Sequence, residues 1–249
     1  MLMLAGWAHG KDALDPLAGF LAPAYDISTA SVGDLPAAFA SAKPADDPAR
    51  TVSEYARGLG AIAAGCDPLR CAVGWSMGAM VALEAIAAQT VRVDRLVVIG
   101  GTPCFCLAAG WAAGVPPQAV RAMRTGLRSR PESTLGRFFE DVMFPRGDAA
   151  DAARSRVRHA LSAAPGALVH GLDYLRRTDL RNQLKAVDIP VLVIHGRQDR
   201  IVPWEAGRFL AGHLAGSRFV LYDSFGHNLP GDDPGAVARD IAEFLEAEN

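Results

Sequence analysis

The chain has 249 residues, a formal net charge of −2 at pH 7, 50% hydrophobic and 21% charged residues. This composition is ordinary for a globular protein and excludes wholesale disorder, and the near-neutral charge gives no sign of nucleic-acid binding. A single domain of this length can bury roughly three quarters of its unfolded surface, so a sizeable core is expected.

The first predicted element is a strand at residues 1–4, an apolar run that lacks a basic leader and is too short for a secretory signal. Residues 23–50 are weakly patterned and predict a loop-rich connection. The sequence Thr51-Val52-Ser53-Glu54 matches a capping box and predicts a helix that reaches Ala64.

Short β-branched runs and helical patterns alternate along the rest of the chain. Such alternation is typical of a mostly parallel, doubly wound α/β sheet with helices on both faces. The predicted strands are residues 70–73, 96–99, 191–194 and 219–222, and the predicted helices include residues 77–89 and 234–246.

Residues 96–115 contain no charge and approach the length of a membrane-spanning helix. The sequence Gly100-Gly101-Thr102-Pro103 would interrupt such a helix, so a buried strand followed by an apolar loop is the better interpretation. No membrane contact is therefore expected.

Residues 111–177 show helical patterns without a convincing strand, and we call them the cap segment. They predict a helical cap inserted into a single domain whose core comprises residues 1–110 and 178–249. The cap segment holds eleven arginines, no lysine and six acidic residues, for a net charge of about +5 against about −7 for the remainder.

The four cysteines are few for this length, and no histidine pair lies near them at the spacing of zinc ligands. Buried, reduced thiols in a cytoplasmic protein are expected. No metal and no organic cofactor are implied.

The sequence Gly74-Trp75-Ser76-Met77-Gly78 follows a predicted strand and begins a predicted helix. This Gly-x-Ser-x-Gly context is that of a nucleophile elbow, in which Ser76 would be the nucleophile. The alternative is a glycine-rich turn with a structural serine.

A serine nucleophile needs a base and an acid that orients the base, in the chain order serine, acid, histidine. Asp199 follows the strand at 191–194 and His227 follows the last strand, so both lie where loops meet the carboxyl edge of the sheet. His159, His170, His195 and His213 are interpreted as structural or solvated, whereas His9 could line the site.

An oxyanion formed at Ser76 would need two backbone N–H donors, and the residue after the nucleophile, Met77, supplies one. Trp7, in the loop after the first strand, is the candidate for the second. The residues predicted to contact an acyl substrate are Trp7, Trp75, Phe138, Phe139 and Met143, although aromatic residues at helical spacing also suit a core.

Four stretches carry a family resemblance: Ala-Gly-Trp at 5–7, Gly-Trp-Ser-Met-Gly at 74–78, Thr-Pro-Cys-Phe at 102–105 and Thr-Asp-Leu-Arg at 178–181. On them the chain resembles the α/β-hydrolase superfamily, and within it the pimeloyl-[acyl-carrier-protein] methyl ester carboxylesterases of biotin synthesis. Ala5 stands where many of these proteins have a histidine.

The resemblance implies a serine carboxylesterase that hydrolyses the methyl ester of pimeloyl-acyl carrier protein, with Ser76, His227 and Asp199 as triad and Trp7 and Met77 as oxyanion hole. It also implies that cap arginines hold the acidic carrier protein; Arg137, Arg154, Arg156 and Arg158 are the candidates. A solvated helix face is the alternative for these arginines. A monomer or weak dimer is expected.

Three other functions stay open. A general carboxylesterase for short acyl esters would use the same triad, and a thioesterase or lyase could use the same fold. A hydrolase-like binding protein without turnover is the alternative from another class.

Overall fold

The computed structural model describes residues 1–40, 52–66, 68–147, 150–162 and 166–247. Within these ranges six strands form one sheet: β1 (Leu2–Ala5), β2 (Ser28–Ser31), β3 (Cys71–Trp75), β4 (Arg95–Ile99), β5 (Val191–Gly196) and β6 (Ser217–Tyr222). Their order in the sheet is β2-β1-β3-β4-β5-β6, and every neighbouring pair is parallel.

Helices connect the strands, as parallel pairing requires. Those outside the cap segment are α1 (Asp15–Leu21), α2 (Leu35–Ala40), α3 (Glu54–Ala63), α4 (Met77–Ala87), α9 (Trp204–His213), α10 (Leu229–Asp232) and α11 (Pro234–Glu246). The helices in the cap segment, between β4 and β5, are α5 (Pro117–Ser129), α6 (Pro131–Met143), α7 (Ala150–Leu161) and α8 (Ala167–Arg177). The predicted α/β-hydrolase fold class is confirmed, and the sheet is parallel throughout the described residues.

The core lies on the central strands and on α4. All residues of β1, β3 and β5 are buried, and so is every residue of α4. Continuous burial is expected when helices cover both faces of a parallel sheet. The elements on either side of Ser76, β3 and α4, are therefore held in place by packing along their whole length.

The connection predicted as loop at residues 23–50 contains more structure than expected, so that prediction is wrong in part. It forms strand β2, which pairs with β1 at the edge of the sheet, and then helix α2. Residues 41–51 lie outside the described residues, and with them the predicted capping residue Thr51. In the structure Ser53 caps α3, because its hydroxyl accepts a hydrogen bond from the Ala56 N–H at 3.1 Å.

Candidate active site

Ser76 lies in the tight turn between β3 and α4, with φ 59° and ψ −124°, a strained conformation for a residue with a side chain. A β-carbon on Gly74 would lie 2.5 Å from the Cα of Ala79, and one on Gly78 would lie 2.3 Å from the carbonyl oxygen of Leu4. Strand and helix therefore approach too closely at these two positions for any residue but glycine. The turn lies at the carboxyl edge of the sheet.

Asp199 and His227 meet at the same edge, on the loops that follow β5 and β6. The Nδ1 of His227 lies 2.6 Å from Oδ2 of Asp199, and both side chains are fully buried. The other carboxylate oxygen of Asp199 accepts the backbone N–H groups of Ile201 and Val202, each at 2.8 Å. These two bonds hold the carboxylate in one orientation.

The carboxyl group of Asp199 is ionised at neutral pH despite its burial. Burial raises its pKa, but the electrostatic interaction with His227 and the hydrogen bonds from His195 and His227 outweigh this effect, so the pKa of Asp199 lies well below its ordinary value. An anion beside Nδ1 keeps the proton on that nitrogen. The Nε2 of His227 is buried and has no hydrogen-bond partner within the described residues.

His195 is a contact of Asp199 that the sequence did not indicate. Its fully buried Nε2 lies 3.0 Å from the carbonyl oxygen of Val202 and 3.3 Å from Oδ2 of Asp199. Because the carbonyl can only accept, Nε2 is the protonated nitrogen and can share its hydrogen with the carboxylate. The interpretation of His195 as structural is therefore too narrow, since it also supports the predicted catalytic acid.

The indole of Trp75 packs near the imidazole of His227, with the two ring centroids 5.8 Å apart. Its Nε1–H donates to the carbonyl oxygen of His227 at 2.9 Å, and the side chain has no exposed surface. Trp75 connects the nucleophile turn to the His227 loop. It has no accessible surface with which to contact a substrate.

Two backbone N–H groups lie next to Ser76 as candidate oxyanion donors. Neither Trp7 nor Met77 donates its backbone N–H to another group in the described parts of the chain. Gly6, which precedes Trp7, approaches the nucleophile so closely that a β-carbon on it would lie 2.7 Å from the Ser76 Cβ. The side chain of Trp7 is held by its own hydrogen bond, from Nε1 to the Leu168 carbonyl oxygen at 2.8 Å.

A cavity of about 170 Å³ opens beside Ser76, between the sheet edge and the cap segment. Its lining includes Trp7 and Phe138 of the five residues predicted to contact an acyl substrate. Phe139 and Met143, also predicted to contact it, line a different and more polar cavity of about 320 Å³. The remaining lining residues of the Ser76 cavity are mostly apolar: Met77, Met80, Thr102, Phe105, Val115, Ala119, Val120, Met123, Leu172, Leu175, Arg200, Ile201 and Val202.

His9 lines that polar cavity and not the cavity beside Ser76. Its Nδ1 lies 2.8 Å from the Trp7 carbonyl oxygen, and its ring packs 4.4 Å from that of Trp75. Burial lowers the pKa of His9 to about 3, and the nearby charges of His227, Arg156 and His159 act in the same direction. His9 is a neutral hydrogen-bond donor in the folded protein.

The cap segment is joined to the core by a buried carboxylate. Glu84 of α4 accepts the N–H and the hydroxyl of Ser53, at 2.8 and 2.7 Å, and the hydroxyl of Tyr174 of α8 at 2.9 Å. Burial and the adjacent Glu84 charge raise the pKa of Tyr174 well above its ordinary value, so its hydroxyl remains a donor. A second contact between α8 and the core joins His170 Nε2 to Glu54 Oε1 of α3, at 2.7 Å.

The four arginines predicted to hold a carrier protein lie in different surroundings. Arg137, Arg154 and Arg158 are exposed on α6 and α7. Arg154 pairs with Asp151 on its own helix, whereas Arg156 is half-buried and lines the polar cavity. Three of the four are thus accessible to a partner.

Two absences complete the description. The described residues contain no group of three or more histidine, cysteine, aspartate or glutamate side chains that could hold a metal ion. In the same residues no helix combines the length and the apolar character needed to cross a bilayer.

A family model for the alpha/beta hydrolase fold matches residues 65–234, which include Ser76, Asp199 and His227. The chain belongs to the α/β-hydrolase family. A pimeloyl-[acyl-carrier protein] methyl ester esterase of Nitrosomonas europaea is 31% identical over 91% of this chain and 88% of that protein. One from Xanthomonas campestris pv. campestris is 32% identical over 99% of this chain and 95% of that protein. These relatives confirm the resemblance and the predicted enzyme class, an ester hydrolase.

Solved structures of other proteins share the fold of this chain at lower sequence identity. An esterase from Exiguobacterium antarcticum has a TM-score of 0.84 at 19% identity, over 99% of this chain and 92% of that one. A bromoperoxidase from Bacillus anthracis has a TM-score of 0.83 at 18% identity, over 99% and 92%. At such identities the likeness concerns the fold alone.

Proposed function

We propose that this α/β-hydrolase is a serine carboxylesterase that hydrolyses the methyl ester of pimeloyl-acyl carrier protein by a Ser-His-Asp mechanism. The observation that carries the reaction type is the buried 2.6 Å contact between His227 and Asp199, at the same sheet edge as the strained Ser76 turn. The names of the relatives support the substrate.

In the proposed mechanism the Ser76 hydroxyl attacks the ester carbonyl while Nε2 of His227 accepts its proton. Asp199 stabilises the imidazolium that forms, and the N–H groups of Trp7 and Met77 bind the oxyanion. Collapse of the tetrahedral intermediate breaks the bond to the methoxy oxygen, and His227 returns the proton so that methanol leaves. Water, deprotonated by the same base, then hydrolyses the acyl-enzyme and restores Ser76.

The Nε2 of His227 has no hydrogen-bond partner within the described residues, which is compatible with this role because contacts between nucleophile and base often form or tighten only when substrate binds. Burial keeps bulk water away from the His227–Asp199 pair and strengthens their electrostatic interaction. The apolar cavity beside Ser76 suits the methylene chain of an acyl group.

The decisive experiment compares methanol release from pimeloyl-carrier-protein methyl ester with hydrolysis of a short p-nitrophenyl ester. We expect kcat/KM to favour the carrier-bound ester, and both activities to disappear in Ser76→Ala. Efficient turnover of the short ester alone would reject the proposed substrate and favour a general carboxylesterase. Failure of Ser76 to react with a fluorophosphonate would favour a binding protein without turnover.

We propose that the exposed arginines of the cap segment attract the acidic carrier protein. In the double variant Arg154→Glu/Arg158→Glu, kcat/KM for the carrier-bound ester should fall far more than for the p-nitrophenyl ester, and added salt should weaken carrier-dependent activity in the wild type. Arg92→Glu, an exposed reversal before β4 at the opposite edge of the sheet, is the matched control. Equal losses on both esters would contradict this docking site.

A further inference from the structure

Arg200 is the one ionisable residue that lines the cavity beside Ser76 among the residues the structure describes. It follows Asp199 directly, in the loop held by the bonds from Ile201 and Val202 to that carboxylate. Its backbone therefore has the same rigid support as the proposed catalytic acid. The guanidinium extends from there to the cap segment.

The other polar side chains of this cavity already have hydrogen-bond partners or a role in the reaction. The hydroxyl of Thr102 donates to the Cys104 carbonyl oxygen at 2.8 Å and accepts its N–H at 3.2 Å. The indole N–H of Trp7 binds Leu168, and Ser76 is the proposed nucleophile. Arg200 is left as the side chain that can offer hydrogen bonds to a bound acyl chain.

The guanidinium of Arg200 is oriented without its N–H groups being used. Its central carbon lies 3.2 Å from the ring centroid of Phe144, a stacking contact that leaves the edges of the guanidinium plane open to hydrogen-bond acceptors. Its nearest carboxylate, Asp141, lies 3.7 Å away, beyond hydrogen-bond distance, and both side chains are half-exposed. Within the described residues Arg200 donates no hydrogen bond.

We propose that Arg200 is a specificity-determining residue that selects esters whose acyl chain carries a second oxygen acceptor at its far end. The substrate class is the half-ester of a dicarboxylic acid, and the acceptor is its far carboxylate or carbonyl. An apolar cavity alone binds any acyl chain of suitable length, whereas a charged donor at the border of the cavity favours a chain with an acceptor that can bind this donor. This inference rests on the proposed esterase action of Ser76.

The test uses three methyl esters with the same carbon chain and no carrier protein. Methyl heptanoate has no second acceptor, monomethyl pimelate has a far carboxylate, and the N-acetylcysteamine thioester of monomethyl pimelate has a neutral far carbonyl. For the wild type we expect kcat/KM of at least one acceptor ester to exceed that of methyl heptanoate by roughly tenfold to a hundredfold, the range of a hydrogen bond to a charged group. The larger of the two preferences identifies the acceptor.

In Arg200→Met, which keeps a long side chain without donors, this preference should fall to near parity. Arg197→Met is the matched control, because Arg197 lies on the same loop, is half-exposed, stacks on Trp204 and does not line the cavity. Its preference should equal that of the wild type. An Arg200→Met preference equal to that of the wild type would overturn the proposal.

A second variant keeps the proposal testable if Arg200→Met misfolds, which circular dichroism and urea unfolding would reveal. Asp141→Asn removes the carboxylate nearest to the guanidinium, so the preference for whichever acceptor ester the wild type favours should rise by up to about fivefold. A fall would show that the Arg200–Asp141 contact is only structural, and would overturn the proposal.

The outcomes separate this inference from the proposed function. Equal turnover of all three methyl esters rejects the role of Arg200 and leaves the esterase standing. A preference for acceptor esters together with inactivity on the carrier-bound ester supports Arg200 and rejects the carrier substrate. No turnover of the three small methyl esters and none of the carrier-bound methyl ester rejects both.

Discussion

Replacing His9 with asparagine should reduce the acid sensitivity of the fold. His9 is buried, and its pKa is lowered from 6.5 to about 3 because burial penalises the charged ring. In the unfolded chain the same side chain has its ordinary pKa and binds a proton at pH 5. The unfolded state therefore binds more protons than the folded state between pH 6.5 and 3, and the stability of the fold falls as the pH falls through this range.

The size of the effect follows from the two pKa values. With a folded pKa of about 3, protonation of the unfolded state alone costs about 2 kcal/mol of folding free energy between pH 7 and pH 5. Asparagine keeps a side-chain N–H that can reach the Trp7 carbonyl oxygen, now bound by His9 Nδ1 at 2.8 Å, but it does not titrate. The variant should lack this contribution to the pH dependence.

The assay is urea unfolding of the wild type, His9→Asn and the control His213→Asn at pH 7 and pH 5. His213 is exposed at the end of α9, so its removal tests the loss of an imidazole without the loss of a buried one. Titrations common to all three proteins cancel in the comparison. If His9→Asn loses as much stability as the wild type between the two pH values, the assignment of His9 as a buried neutral group is refuted.

Further predictions concern the acid, the cap contact and the His227 loop. Asp199→Asn takes away the anion that orients His227, so kcat for a short p-nitrophenyl ester should fall by roughly 10⁴-fold; a loss below about tenfold would contradict the triad. Tyr174→Phe removes a donor from buried Glu84 and should lower the unfolding free energy in urea by about 1–3 kcal/mol, whereas an unchanged value would contradict its role as an anchor. Gly226→Ala places a β-carbon 1.8 Å from a carbonyl oxygen of the cap segment. Both the melting temperature and kcat should fall, and an unchanged kcat would show that this loop tolerates displacement.

The order of buried strands was predictable because their signal is local. The runs ending at Ile99 and Ile194 are continuous, β-branched and fully buried, and the glycines around Ser76 are required by close contacts in the turn. Strand β2 was not predicted because it is a four-residue edge strand of sequence Ser-Thr-Ala-Ser, of which only half is buried, and it contains no apolar run. Its pairing with β1 comes from tertiary contact.

The supporting residues of the candidate site could not be predicted, because they act through distances between loops. His195 lies four residues before Asp199, and nothing in that spacing shows that the ring turns back to the carboxylate. Trp75 was predicted to contact a substrate, but its indole is fully buried and donates to the carbonyl oxygen of His227. Arg200 is charged and adjoins the predicted acid, yet only the packing of the cap segment shows that it borders the cavity.

Glu84 also limits how this protein could acquire a new substrate range. The helix that carries Glu84 is buried throughout and begins directly after Ser76, so this helix leaves little scope for variation, and most new substrate contacts must come from the loops at the sheet edge and from the cap segment. A cap exchanged with that of another hydrolase would still have to present a hydroxyl where Tyr174 does, or leave a buried carboxylate short of a donor. Chimeras that retain the end of α8 around Tyr174 and replace α5 to α7 are therefore the most promising starting points for altering specificity.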